Sequence, residues 1–438
     1  MLARRAKRPC GGGPTATWRF GLVLALALAV AMSAMAAPPQ RPVQRIFNPS
    51  FFDDSADVTL NPQEFTKGPV GNRQRDYAAP GIKAGGFIMF PKLEIDEDYN
   101  DNIFATKTDR ESDFATVITP SVSIQSLWSR HGLGVQAFGQ FSEFVEHGTE
   151  NTQQGGLNVT GRFDITSNDS LSGFASYSHE AEPHSERDDE GTRHPVLFDR
   201  FIGLTRYAHQ FNRLELTVDG QVQRFNFAAE RDADRDRTEI RVDPRLTYDA
   251  SSNLRPFLQF GYLDRNFDDP VEADSQTYAA LAGLRVDLGA TLEGEVSAGV
   301  FHTDFDDPTL DPVTAPALEG ELTWQVTRLT TVTGTLSRRI AATTQSDTSS
   351  KIVSAVSVRV EHELLRNLVL SSEIGYRNEE FEGSSRVDNR IDVEVGGSYL
   401  LNRNAVINFG YVYATRDSTD DTEDFDNNII RLGVDLKM

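Results

Sequence analysis

From about Ile82 to Met438 the chain repeats one pattern: a stretch of alternating apolar and polar residues, a tight polar turn, a second such stretch, then a longer charged loop. A period of two sends successive side chains to opposite faces of a strand, so each stretch carries one oily and one wet surface. In 291–302, Leu292, Gly294, Val296, Ala298 and Val300 share a face, and Glu293, Glu295 and Ser297 take the other. In 386–399, Val387, Ile391, Val393, Val395 and Tyr399 alternate with Asp388, Arg390, Asp392 and Glu394. In 238–248, Ile240, Val242, Leu246 and Tyr248 oppose Glu239, Arg241, Asp243 and Arg245. Residues 196–210 break the rule, because Phe201, Ile202, Leu204 and Tyr207 do not keep one parity, and their faces stay unassigned. The alternation runs to the final atom, with Leu432, Val434, Leu436 and Met438 on one face.

The connections carry topology. Short turns fall at 128–131, 166–169, 210–212, 249–253, 288–290, 327–328, 365–367 and 401–404, between longer acidic loops near 99–113, 182–195, 229–237, 264–275, 304–314 and 416–427. Strands then begin near 82, 114, 131, 153, 170, 196, 212, 237, 253, 276, 291, 315, 328, 350, 367, 386, 404 and 425. That makes about eighteen strands, with both chain ends on the short-turn side, as in bacterial barrels with periplasmic turns and external loops. Spacing near twenty residues suits crossings of roughly ten residues with their connections. A soluble sandwich would show shorter strands and turn signals every 8–12 residues or so, and no segment supplies a helix layer to cover so long a sheet. The fold expected is all-β: a transmembrane antiparallel up-and-down β-barrel occupying 82–438.

The first residues read differently. Arg4, Arg5, Lys7, Arg8 and Arg19 precede an apolar run from Phe20 to Met32, and Ala34-Met35-Ala36 follows it. This is the layout of a secretory signal peptide over 1–36, and the run is short for a membrane helix. The only cysteine, Cys10, would leave with it. Removing 1–36 takes away five cations and no anion, so the net charge of −22 becomes more negative still. Nucleic acid is thereby an unsuitable partner. After residue 36 no stretch approaches the roughly twenty consecutive apolar residues of a spanning helix, and mean hydropathy is −0.40. Barrel strands spend only alternate residues on lipid, so a polar average is compatible with one. Residues 37–81, rich in Pro, Asn, Gln and Arg with Ile46, Phe47, Phe51 and Phe52 among them, read as a flexible periplasmic segment, either a docking tail or a linker against the barrel mouth.

Candidate chemistry is sparse. The eight histidines show no HExxH spacing, and no Gly-x-Ser-x-Gly elbow occurs. No catalytic residue, cofactor or metal site is expected. The acidic clusters Asp268-Asp269 with Glu272 and Asp274, Asp304 with Asp306 and Asp307, and Asp417 through Asp426 lack the EF-hand pattern and read as solvated loops whose charge bridges to lipopolysaccharide through divalent cations, with calcium chelation by their carboxylates as the alternative. The polar face of the strands is the candidate lumen lining: Lys92, Glu94, Arg162, Asp164, Glu239, Arg241, Asp243, Arg245, Arg285, Asp287, Glu293, Glu295, Glu319, Glu321, Arg359, Glu361, Asp388, Arg390, Asp392 and Glu394. A barrel of this size encloses an aqueous channel unless plugged, and interior charge sets what passes. Mixed charges on neighbouring strands also pair with each other and stiffen the wall; most are expected to do so.

Two resemblances sharpen this. Arg431, Gly433, Leu436 and Met438 resemble the C-terminal sorting signal of bacterial outer-membrane barrels, which implies the barrel-assembly machinery as a partner; the chain departs from it by ending in Met. Pro80-Gly81-Ile82-Lys83-Ala84-Gly85-Gly86-Phe87, Phe90-Pro91-Lys92-Leu93, Tyr99-Asn100-Asp101-Asn102-Ile103-Phe104, Asp113, Pro120 and Ser126-Leu127-Trp128-Ser129-Arg130-His131 resemble the opening of the family labelled beta-barrel porin 2, or capsular-polysaccharide-associated outer-membrane protein. Its motif residues here are Tyr99, Asp101, Asn102, Trp128 and His131, with Asn100 where the family usually has Asp. The resemblance implies the outer membrane of a Gram-negative bacterium, and export of capsular or exopolysaccharide beside a periplasmic polysaccharide-export protein. It carries no catalytic residue, so the chain is expected not to be an enzyme. Within that opening, Gly85 and Gly86 suit a close approach where the ring closes on the last strand, Pro91 a position where no donor is needed, and Trp128 the interfacial girdle. The alternatives are a general or solute-selective diffusion porin, for which an inward-folded loop at 182–195 is the best candidate constriction, and a non-conducting structural or adhesive barrel.

Overall fold

The computed structural model describes residues 77–187, 194–269, 274–289, 291–343, 348 and 350–438. The expected signal peptide and nearly all of the tail lie outside them. Eighteen antiparallel strands follow one another round a closed ring: β2 (Phe87–Asn100), β3 (Asp113–Ser126), β4 (Gly132–Phe144), β5 (Thr152–Asp164), β6 (Asp169–Glu182), β7 (Val196–Phe211), β8 (Leu214–Phe227), β9 (Arg237–Tyr248), β10 (Leu254–Phe267), β11 (Ser275–Asp287), β12 (Leu292–Phe305), β13 (Val313–Thr327), β14 (Thr330–Ala341), β15 (Ser350–Leu365), β16 (Leu368–Glu382), β17 (Val387–Asn402), β18 (Ala405–Ser418) and β19 (Phe425–Lys437), preceded by a three-residue strand β1 (Ile82–Ala84). The ring closes where β19 pairs with β2, from Lys437 opposite Lys92 to Ile429 opposite Asn100. Closure satisfies the ladder on every strand, which is the condition for spanning hydrocarbon with a sheet.

One start differs from expectation. The segment at 82–84 is a separate strand that folds back on Phe87–Met89, so the first strand of the ring starts at Phe87. Gly85, with φ of +62°, makes the turn of that hairpin, and Gly86 packs beneath Trp128. Neither glycine lies at the closure with the last strand. Pro91 does sit at the seam: the carbonyl of Pro91 accepts from Met438 N at 3.1 Å, and its missing N–H is no loss where the β2–β19 ladder ends.

The outward face is apolar. Its exposed residues include Val242, Phe260, Val296, Leu318, Val358, Ile374, Val395 and Leu432 along the middle of the strands. Aromatic rings mark both rims, with Trp128, Phe211, Tyr248, Trp324 and Tyr399 on the short-turn side and Phe114, Phe141, Tyr177 and Tyr278 on the long-loop side. That arrangement is the aromatic girdle of a membrane barrel. The irregular strand β7 also resolves. Phe201 and Tyr207 stand opposite Tyr177 and Leu171 on the outer face, whereas Ile202 and Leu204 stand opposite Ser176 and Phe174 on the inner one and are buried. Both faces of β7 mix apolar with polar residues, so alternation has little contrast to reveal.

Turns of two to five residues close the short side, and four of the eight have only two. Asn212 and Arg213 join β7 to β8, with Asn212 at a φ of +53°, a region Asn tolerates better than other side-chain-bearing residues.

Candidate channel constriction

Ladder register puts all the candidate lining residues on the face opposite the exposed apolar ones. Lys92 and Glu94 pair with each other, and Lys92 also reaches Asp435 at 3.2 Å. Arg162 holds Asp164 at 2.9 Å. Glu239 accepts from Arg237 and Arg265, both at 2.9 Å, and Arg241 pairs with Asp243. Arg359 bonds Glu373, and Arg390 bonds Asp392 at 2.9 Å. Asp388 is buried between Arg386 (2.6 Å) and the Ser418 hydroxyl (2.5 Å). Several carboxylates stand opposite like charges: Asp287 faces Glu293, Glu295 faces Glu321, and Glu373 faces Glu394. Glu319 stands opposite Ser297 and Glu361 opposite Thr331.

This face is concave, and its side chains converge over intervening strands. Arg245 of β9 donates to Glu295 of β12 at 2.8 Å, past β10 and β11, while its guanidinium lies 3.5 Å from the centroid of the Phe257 ring. Gly283 of β11 leaves room for that ring, because a Cβ there would collide with it. Arg285 donates to the other oxygen of Glu295 at 3.0 Å.

Part of the same face is apolar. Leu263, Ala279, Leu281, Phe301, Ala315 and Ala317, from β10 to β13, are buried in one cluster. An unbroken apolar run, Tyr278-Ala279-Ala280-Leu281-Ala282, signals it in the sequence, since a lipid face needs only alternate residues.

The segment that leaves the wall follows β6. After Pro183 a single 3-10 turn, His184–Glu186, leaves the rim and meets the far wall. Glu186 accepts from Arg390 at 2.6 Å and from Arg377 at 2.9 Å. The carbonyl of Ser185 accepts from Arg390 at 3.0 Å and from Arg416 at 2.8 Å. These arginines sit on β16, β17 and β18, so the turn bridges from one side of the ring to strands far round it. Burial raises the Glu186 carboxyl, but Arg377 and Arg390 outweigh it and hold the group below its ordinary value. The near end is fixed as well: His184 Nε2 lies 2.8 Å from Glu150, and Phe104 packs edge-on against both His184 and His147. Of these contacts the sequence offered only the loop and Arg390. Arg377 was legible by parity, one residue after outward Tyr376, but its meeting with Glu186 depends on ring closure.

The motif residues are structural in their contacts. Asn102 is fully buried: its side-chain amide donates to the carbonyls of Thr106 (2.8 Å) and Asp426 (2.9 Å), and its own carbonyl accepts from Asn427 at 3.0 Å. Asp101 binds Asn428. Tyr99 packs on Phe114, Trp128 on Phe87, and His131 stacks on Phe163 while its Nδ1 accepts from Asp164 N at 3.2 Å. Of the four C-terminal residues singled out in the sequence, Leu436 and Met438 are exposed on the outer face, Arg431 bonds Asp98 at 2.7 Å, and Gly433 lies against Asp96.

Among the described residues no group of three or more His, Cys, Asp or Glu is placed to hold a metal ion. Several loop acids instead serve their own turns: Asp307 accepts from Thr309 N at 2.8 Å, and Asp420 accepts from the Thr422 hydroxyl at 2.8 Å.

No curated protein matches the chain. Among solved structures it is similar to OpdK of Pseudomonas aeruginosa, with 14% identity over 80% of this chain and 99% of that one and a TM-score of 0.45. OpdL of the same organism gives 14%, 81%, 99% and 0.43. A BenF-like porin from Pseudomonas fluorescens Pf-5 gives 12%, 80%, 99% and 0.45. Residues 75–438 match the family described as “Putative beta-barrel porin 2”, and the chain belongs to that family of outer-membrane barrels.

Proposed function

We propose that the protein is a passive diffusion channel for small polar solutes, narrowed by residues 183–187. The observation that supports this reading is the Glu186 bridge to Arg377 and Arg390, which takes a segment of chain across the concave side of the barrel. A channel needs a polar path and a constriction that weighs size and charge, with binding weak enough for release. The charged walls supply the first, and the anchored turn the second. No catalytic role is proposed.

Export of capsular or exopolysaccharide, with a periplasmic export protein as partner, rests on the resemblance of the opening motif alone. A sliding polymer needs a continuous wide lumen, which the anchored turn opposes. Association with lipopolysaccharide through the acidic loops, and delivery by the barrel-assembly machinery through Arg431 to Met438, belong to the same proposal.

Single-channel recording of the refolded protein in planar bilayers tests it. The expected result is discrete conductance steps, with permeation of monosaccharides in a liposome-swelling assay and exclusion of long oligosaccharides. Absence of conductance and swelling together would overturn the channel reading, while free passage of long oligosaccharides would favour the export reading.

A further inference from the structure

Arg377, Arg390 and Arg416 form a row across three adjacent strands. Arg377 stands directly opposite Arg390, and Arg390 directly opposite Arg416. Like charges directly opposite in a sheet repel, so such a row persists only where anionic groups compensate it. Each arginine also has a carboxylate near its own strand: Asp392 for Arg390 at 2.9 Å, Glu379 for Arg377 at 3.8 Å, and, from the loop between β18 and β19, Glu423 for Arg416 at 3.4 Å. Toward the interior the compensation comes from elsewhere in the chain, as one carboxylate and one carbonyl of residues 185 and 186.

We propose that this row is an anion subsite that takes the carboxylate of an acidic solute, and that Glu186 is its internal occupant. Glu186 already displays the recognition. Its Oε1 and Oε2 are bound by two different guanidinium groups, at 2.6 and 2.9 Å. Each guanidinium gives one charge-assisted hydrogen bond through its Nη1, and two guanidinium groups converging on the two oxygens of one carboxylate make a binding site for that group. The site is open to a competitor, since the Glu186 and Arg377 side chains are 38% and 35% exposed, whereas Arg390 and Arg416 are held by the wall at 11% and 7%. The fixed pair supplies the socket, and the accessible pair supplies the exchange. A solute carboxylate replaces that of Glu186 without leaving an arginine uncompensated, so its passage avoids the desolvation cost of an unpaired charge. The inference rests on the channel reading for its role in transport but not for the binding itself.

The test uses galacturonate against galactose, two sugars that differ in the carboxylate. In single-channel recordings galacturonate is expected to cause transient blocks that galactose does not. Glu186→Gln removes the internal competitor and lowers the blocking concentration by roughly tenfold or more, the scale set by a tethered group at millimolar effective concentration. Arg390→Gln in the same background abolishes the block. Isothermal titration of the folded barrel in detergent reads the same ranking without current, so a protein that binds galacturonate but does not conduct defeats the channel reading and keeps the subsite. Faster migration of unheated protein on a denaturing gel verifies that each variant is folded. Equal affinity for the two sugars, or a Glu186→Gln variant no more sensitive to galacturonate than the parent, would overturn the proposal.

Discussion

Asp101 and Asn428, 327 positions apart in the chain, hold each other by two hydrogen bonds: Asp101 Oδ1 accepts from Asn428 N and its Oδ2 from Asn428 Nδ2, each at 2.7 Å. Asp101 N donates in return to the Asn428 carbonyl at 3.1 Å. With the buried amide of Asn102 beside them, these bonds fasten the first long loop to the start of the last strand, directly above the end of the β19–β2 ladder. The seam is the one place where strands distant in sequence must find each other. The motif Asn100-Asp101-Asn102 therefore secures the ring at its outer end.

Removing that fastening should weaken closure. Asp101→Ala takes away a charged acceptor of two hydrogen bonds, each of a kind contributing about 1.5–3 kcal/mol. The expected outcome is a lower urea midpoint and a lower temperature at which unheated protein loses its fast gel mobility. Asp101→Asn keeps one acceptor and should fall between. A variant as resistant as the parent would mean that the ladder alone carries the seam.

Glycines of this barrel differ in what they permit. Gly294 has a φ of +145°, and a Cβ there would collide with the carbonyl of Glu321 on the next strand, where no flexible side chain can yield. Gly161, also within a strand, has nothing within 4 Å of a Cβ. Gly294→Ala should cost on the order of 1–3 kcal/mol through backbone strain, reducing the refolded fraction in detergent, while Gly161→Ala should leave it unchanged. Equal yields for the two would remove the distinction.

Much of the fold was legible because lipid enforces a strict period of two. The expected strand starts at 196, 237, 350 and 425 coincide with Val196, Arg237, Ser350 and Phe425. Reading fails where that contrast is missing. On β7 both faces mix apolar with polar residues, so Ile202 could not be told from Phe201, and near Ile82 a short hairpin imitates the first strand of the ring. The constriction was legible only in part. Parity places Arg390, but the approach of Glu186 from 204 residues away follows from the circumference of the closed sheet, which no local pattern encodes. The inner apolar cluster around Phe301 leaves a trace only in the unbroken run 278–282, because alanines and leucines on β11 satisfy lipid and interior equally and do not say which face is which.

The outer mouth should respond to pH through His147. Its Nδ1 lies 2.9 Å from Asp113 and its Nε2 2.6 Å from Glu111, and these hydrogen bonds, the one to Asp113 first, raise its pKa above the ordinary 6.5 against the effect of burial. A raised folded-state value means that the contribution is complete below about pH 6.5 and is lost as pH rises through the folded pKa. The clasp between the loops at 101–112 and 145–151 should thus loosen on the alkaline side of neutrality. Imidazole titration by NMR should place His147 above the ordinary histidine value, and the alkaline loss of stability should vanish in His147→Gln. A titration at or below the ordinary value would sink the assignment.

Arg245 offers the sharpest test of the concave wall. It covers the Phe257 ring and shares Glu295 with Arg285, so its removal uncovers an aromatic surface and leaves a half-buried carboxylate with one cation instead of two. Breaking a buried pair from one side costs about 3–5 kcal/mol, and the remaining bond to Arg285 should bring this toward the lower end. Arg245→Ala should accordingly shift the unfolding midpoint strongly, whereas Arg245→Met with Glu295→Gln, which keeps the cover and discharges the acid, should recover most of the loss. Arg245→Lys separates the two contributions: it keeps the charge but not the planar stack on Phe257, so an intermediate midpoint identifies stacking as part of the stabilisation, and a parental midpoint reduces the contact to charge alone. The double-mutant cycle with Glu295→Gln completes the argument, because a coupling near zero would mean that Arg245 and Glu295 act independently in spite of their 2.8 Å contact.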